Sequence, residues 1–183
     1  MVLKRISLYF QTIVGGGRLY DKFSLPYLTP TIGLSMTCAD FLELLENLDY
    51  FLSVEPVIIE AEQKRVNNEF GIYNCMLGNI KIDFRHYRDA KDAIAKWNRR
   101  KKRIFYDNII VKMSYYTDEI DNDILYRFSR LPYKKILFTN KKELLQKEDL
   151  GRVVFIDSPD GENEFILSDS QLKLKEIKSI INQ

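Results

Sequence analysis

The sequence is poor in the residues from which metal and redox sites are built. It holds two cysteines, Cys38 and Cys75, and a single histidine, His86. The cysteines lie far apart and neither belongs to a ligand motif, so no metal site of the usual His/Cys kind is expected. They read as reduced, buried thiols of a cytosolic protein. Glycine and proline are sparse, at 8 and 5 copies. No linker, repeat or low-complexity segment interrupts the chain, so residues 1–183 read as one domain. No apolar run approaches the ~18 residues of a membrane-crossing helix. The start, MVLKRISLYFQTIVGGG, lacks a clean apolar core and a small-residue cleavage site, so no signal peptide is expected. A large charge of one sign is also missing. With a net charge of +2 the whole molecule is not a polyanion binder. The motifs G-x-S-x-G and H-E-x-x-H and the kinase signatures are absent.

What is present is an ordinary globular composition, 45% apolar and 30% charged, enough for a core that needs no disulfide or metal. Strand and helix patterns alternate. RISLYF (Arg5 to Phe10) and TIGLSM (Thr31 to Met36) read as strands. Thr37, with Asp40 three residues on, is a capping box for a helix over CADFLELLENLDYFL. PVIIEAE is a strand, and IYNCML and IKIDFRHY form a strand pair with a tight turn at Gly78-Asn79. NIIVKMSYY, KKILFT and GRVVFID are strands. DNDILYRFSRL is a helix ended by Pro132, and KKELLQKED and QLKLKEIKSIIN are helices. The alternation predicts an α/β fold, a mixed or mostly parallel sheet flanked by helices in three layers. The middle hairpin requires an antiparallel pair.

The densest chemistry lies between His86 and Asn108, which also holds the single tryptophan, Trp97. Asp89 is a good N-cap for a helix from Ala90 to about Arg103. Ala90, Ile94 and Trp97 share one face and are expected to pack inward. Lys96, Arg99, Arg100, Lys101, Lys102 and Arg103 place six positive charges in eight residues. Cations at a helix end offset the macrodipole, and such a run can be a solvated face. Arginine, however, is the residue suited to forked binding of phosphate or carboxylate. His86 closes a predicted strand, where ligand sites of α/β sheets gather, and its ordinary pKa near ~6.5 suits a general base. A hydrogen-bonded structural histidine is the plainer alternative. Gly15, Gly16 and Gly17 follow the first strand. Such a run can cradle phosphate, although VGGGRLY matches neither phosphate-loop motif and reads equally as a turn. DEIDND reads as a solvated helix start.

Seven stretches, GGGRLY, LTPTIGLSM, ENLDYFL, IKIDFRHY, AIAKWNRRKKRI, DNIIV and RFSRLPYKKILFT, stand in an order that resembles the bacterial DUF1919 family. The resemblance runs from about Ile6 to Thr139 and weakly to the end. Its most specific part is the pair His86-Tyr87 followed by a helix carrying Trp97, Arg99, Arg100 and Arg103. Members of that family are often labelled exopolysaccharide or capsule biosynthesis proteins, which implies a place in surface-glycan assembly. They typically carry N-N-C/x-W-G-G after the first strand, where this chain has TIVGGG. Chemistry that needs that motif is altered or lost here.

Two functions follow as expectations. The first is a transferase that takes a sugar phosphate or nucleotide sugar and needs no cofactor. Arg99, Arg100 and Arg103 would hold the phosphates, and His86 would be general base toward an acceptor hydroxyl. Gly15–Gly17 would add backbone donors, and Tyr87 would orient His86 or stack on a sugar. The second is a non-catalytic polyanion-binding or scaffold module using the basic helix 96–103, with Tyr106, Tyr115 and Tyr116 nearby in sequence. The nucleic-acid signal is not strong. The expected compartment is cytoplasmic, with peripheral membrane contact open.

Overall fold

The computed structural model describes residues 7–10, 24, 26, 28–66, 70–116, 119–158, 175 and 177–180. The first strand is β1 (Ser7–Phe10). The glycine run, Gly15–Gly17, lies outside the described residues.

Between β1 and the central parallel strand, the chain builds a separate antiparallel sheet. Its strands are β2 (Leu34–Ser35), β3 (Val57–Val66), β4 (Phe70–Leu77) and β5 (Ile80–Tyr87), in the order β2-β5-β4-β3. The tight turn falls at Gly78-Asn79 as the sequence predicts, with Leu77 paired to Ile80. The segment TIGLSM is mostly turn, and only Leu34 and Ser35 pair. Gly33 at φ +76° carries the chain through that turn, a conformation that favours glycine.

The helix expected over residues 38–52 is two. Thr37 caps α1 (Cys38–Glu46), accepting from the Asp40 N–H at 3.1 Å and donating to the Asp40 carboxylate at 2.7 Å. Asn47 then leaves helical geometry, at φ −123° and ψ 41°, before α2 (Leu48–Ser53) begins. Its amide donates to the Glu43 backbone carbonyl at 3.4 Å. Such side-chain bonding competes with the helical ladder and makes asparagine a natural break. Next comes α3 (Ala90–Lys101), which follows β5 directly and packs against it.

The rest of the chain builds a parallel sheet around β6 (Ile109–Tyr115), all of whose residues are buried. A near-continuous apolar run of this kind is a strand covered on both faces. It pairs with β1 on one side and with β7 (Lys134–Thr139) on the other, and β8 (Arg152–Phe155) pairs with β7. All three pairings are parallel, in the order β1-β6-β7-β8. The crossover from β6 to β7 is α4 (Asn122–Arg130), capped by the Asp121 carboxylate on the N–H groups of Asp123 and Ile124. The predicted helix KKELLQKED is instead two short 3-10 turns, Lys142–Gln146 and Glu148–Leu150. Of the predicted last helix, Lys175 and residues 177–180 are described and helical.

The α/β expectation therefore holds, but its single mixed sheet resolves into two sheets. Strands joined by a hairpin satisfy each other's backbone groups locally and need no place in the parallel ladder. One cluster of buried side chains crosses from sheet to sheet, joining Leu34, Phe84 and Trp97 to Val111, Met113 and Phe128. A second lies on the other face of the parallel sheet, where Ile110 and Phe138 meet Ile177 and Ile180.

Candidate functional site

Helix α3 is fixed at its start by Asp89, whose carboxylate accepts from the Asp92 N–H at 2.7 Å. Asp92 in turn pairs with Lys96 at 2.8 Å, one turn later. The hydrogen bond from Lys96 holds the Asp92 carboxyl below its ordinary range. The buried stripe of the helix is Ala93 and Trp97, both 0% exposed. Ala90 and Ile94, expected on that stripe with Trp97, are only half-buried. Trp97 packs edge-on against Phe84, ring centroids 6.3 Å apart. Its indole Nε1 is buried and has no hydrogen-bond partner among the described residues. It serves the core through its area rather than its polar handle.

Counting on from Ala93 and Trp97 along the helix, the next residue on the same face is Arg100. Its Nη1 donates to the Ile32 carbonyl at 2.9 Å and to the Tyr87 hydroxyl at 2.8 Å. The Tyr87 hydroxyl donates to the same Ile32 carbonyl at 2.5 Å. Three elements meet in this triangle: the turn before β2, the end of β5 and the helix. Gly33 is part of its fit, because a Cβ there would sit 3.2 Å from the Arg85 carbonyl and from the Tyr87 ring. Tyr87 is 2% exposed. Burial pushes its phenol up, and the nearby Arg100 charge partly offsets this. Tyr87 and Arg100 are thus engaged with the protein itself, and the Tyr87 ring is not offered to solvent for stacking.

Of the remaining cations, Arg99 lies on the side of the helix away from Trp97, Lys101 is the last helical residue, and Lys102 and Arg103 follow the helix end. Arg99, Lys102 and Arg103 are exposed and Lys101 is half-buried. Among the described residues none of the four forms an ion pair. Two cavities, of about 340 and 290 Å³, open elsewhere, and neither is lined by Tyr87 or the α3 arginines. Of the tyrosines near the basic run, Tyr106 is exposed and Tyr115 is fully buried. His86 lies in β5 next to Tyr87, but its side chain, like Gly15–Gly17, falls outside the described residues.

One polar pair escaped the sequence reading. Lys112 is 0% exposed in the middle of β6. Its ammonium donates to the Ser114 hydroxyl and lies 4.7 Å from the centre of the Phe138 ring. The signal was available: a lysine between Val111 and Met113, inside a run too apolar to have a solvent face. Ser114 also accepts, through its carbonyl, from the Cys38 thiol at 3.7 Å, which ties the start of α1 to the end of β6.

These features define a mixed α/β protein: a parallel β-α-β sheet, an antiparallel sheet inserted after its first strand, and a basic helix stapled to that insertion. The chain belongs to the family described as Domain of unknown function (DUF1919), whose model matches residues 4–165. It is also similar to an uncharacterized protein of Haemophilus influenzae, 30% identical over 129 residues. That stretch is 70% of this chain and 58% of the relative, so the chain spans little more than half of the relative's length. No helix among the described residues is long and apolar enough to cross a membrane.

Proposed function

We propose that this protein binds a phosphate-bearing sugar of bacterial surface-glycan assembly through the exposed end of α3, and transfers the sugar to an acceptor. The observation that carries the reading is the free cationic turn. Arg99, Lys101, Lys102 and Arg103 end a helix anchored through Trp97, and no described acid neutralises them. Offsetting the helix dipole at ~0.3–1 kcal/mol per cation gives no reason for forked side chains. Arginine forks match phosphate oxygens in pairs. In this reading Arg99 and Arg103 hold the phosphates, while Arg100 and Tyr87 position the helix that presents them. His86, one residue before Tyr87, is the base that takes the acceptor proton. The chain acts as one α/β domain of three layers, its two sheets sharing a core.

The test is binding of nucleotide sugars and nucleoside diphosphates to wild type and to Arg99→Ala/Arg103→Ala, followed by thermal shift and calorimetry. We expect stabilisation of wild type by about 2.7 kcal/mol at a hundred times Kd, and none of the variant. Equal binding by both proteins would sink the reading. A second reading, attachment to polyanions, draws on the open surface on which these cations sit. It predicts binding to every polyanion and a steep fall with salt, whereas a single diphosphate site loses much less.

A further inference from the structure

The cavity of about 340 Å³ lies far along the chain from α3, between α4 and the two 3-10 turns that follow β7. Its volume is at the small end of the range for ligand sites. Its floor is apolar, with Leu144 and Leu150 each 2% exposed. Over that floor stands Tyr126, 65% exposed. Around the rim are an amide, Asn122, two carboxylates, Glu143 and Asp149, and one ammonium, Lys147. Among the described residues no hydrogen bond or ion pair engages these four polar heads. Glu143 and Lys147 are four residues apart, yet they do not close on each other. The helix beside the cavity is held from outside it, through Arg127 on Glu46 at 2.6 Å and on Glu43 at 3.2 Å.

We propose that this cavity is a second ligand site and that it takes a neutral carbohydrate ring. The chemistry selects the class. Two carboxylates against one ammonium repel phosphate, so an anion is the wrong occupant. A purely apolar ligand would desolvate four polar heads and pair none of them, at a cost for each. A pyranose has both faces the cavity asks for: C–H groups to lie on an aromatic ring, and hydroxyls that donate to carboxylates and accept from ammonium and amide. Tyr126 is the stacking surface, Glu143 and Asp149 accept from ring hydroxyls, and Lys147 and Asn122 donate to them. The site is independent of the basic turn, shares no residue with it, and stands or falls separately.

The experiment is ligand-observed NMR and calorimetry on the full chain with a panel of neutral mono- and disaccharides, plus adenosine and inorganic phosphate as controls. Three variants accompany wild type: Tyr126→Ala, Glu143→Gln and the α3 pair Arg99→Ala/Arg103→Ala. Tyr126 is exposed, so its truncation leaves the fold intact, which the unfolding midpoint verifies. We expect at least one saccharide to bind, with affinity lost about tenfold or more in Tyr126→Ala, lowered in Glu143→Gln, unchanged in the α3 pair and indifferent to salt. The proposal is overturned if no saccharide binds at tens of millimolar, if binding survives Tyr126→Ala, or if adenosine or phosphate competes better than the sugars.

Discussion

Replacing Tyr87 by phenylalanine removes one oxygen and leaves the ring, so it tests the triangle with Ile32 and Arg100 alone. The ring keeps its edge-on contact with Phe84, at 5.3 Å between centroids. Two hydrogen bonds are lost: the one donated to Ile32 at 2.5 Å and the one accepted from Arg100 at 2.8 Å. A neutral bond is worth about 0.5–1.5 kcal/mol net, and one to a charged partner about 1.5–3. Part of this returns, because Arg100 still reaches the Ile32 carbonyl at 2.9 Å and is only half-buried. A loss of about 2 kcal/mol remains. In urea, with a slope near ~2 kcal/mol per molar, the midpoint falls by about 1 M with the slope unchanged. A cycle with Arg100→Met should return a coupling of about 1 kcal/mol. The pH dependence supplies an internal control. The folded phenol of Tyr87 is raised above its ordinary value of 10.0. The folded state therefore holds that proton more tightly than the unfolded state. The stability this gives is complete below pH ~10 and is lost as pH rises through the folded pKa. Tyr87→Phe removes that titration, so its deficit relative to wild type should shrink in strong alkali. A deficit under about 0.5 kcal/mol, constant with pH, would refute the staple and return Arg100 to the ligand-binding set.

Two further outcomes are expected. Gly151→Ala should lower stability by about 1–3 kcal/mol in the same urea assay, since φ is +73° there and a Cβ would meet the Lys135 carbonyl at 2.6 Å. Iodoacetamide at pH 8 should modify Cys38, which is half-buried, well before Cys75, whose thiol burial pushes up to about 12; equal labelling of the two in the native protein would mean that β4 opens readily.

How far the sequence could be read depends on the range of the interactions behind each feature. Thr37 and Asp89 were legible as caps because a cap is settled within four residues, and each accepts from the N–H three residues on. The turn at Gly78-Asn79 was legible for the same reason. The break at Asn47 was not, because the apolar spacing of Phe41, Leu44, Leu48 and Phe51 continues across it and every one of them is buried. Periodicity reports which side is apolar, not whether the backbone stays helical. Strand partnership is harder still. β1 pairs with β6 across about a hundred residues of chain, Ser7 opposite Ile109. Nothing local in RISLYF says that its neighbour is NIIVKMSYY rather than IKIDFRHY. The number of strands could therefore be read, but their division into two sheets could not.

The basic run of α3 carries the sharper lesson, because its resolution was present in the spacing. Six cations in eight residues look like one patch when written on a line. A helix turns 100° per residue, so adjacent cations look in different directions. Trp97 at 0% exposure sets the inward direction. Arg100, three residues on, stays on that side and reaches the Ile32 carbonyl. Lys96, one residue back, is drawn to Asp92. Arg99, Lys102 and Arg103 are turned outward and left exposed. The same run thus supplies a structural clamp, a helix-strengthening pair and an exposed cationic surface: phase separates Lys96, Arg99 and Arg100 within the helix, and Lys102 and Arg103 lie past its last residue, Lys101. A charge-reversing substitution should then act by position: at Arg100 it strikes folding, and at Arg99 or Arg103 it strikes ligand binding with the unfolding midpoint unmoved. If Arg100→Glu and Arg99→Glu cost the same stability, phase does not govern the helical part of the run and the clamp assigned to Arg100 fails.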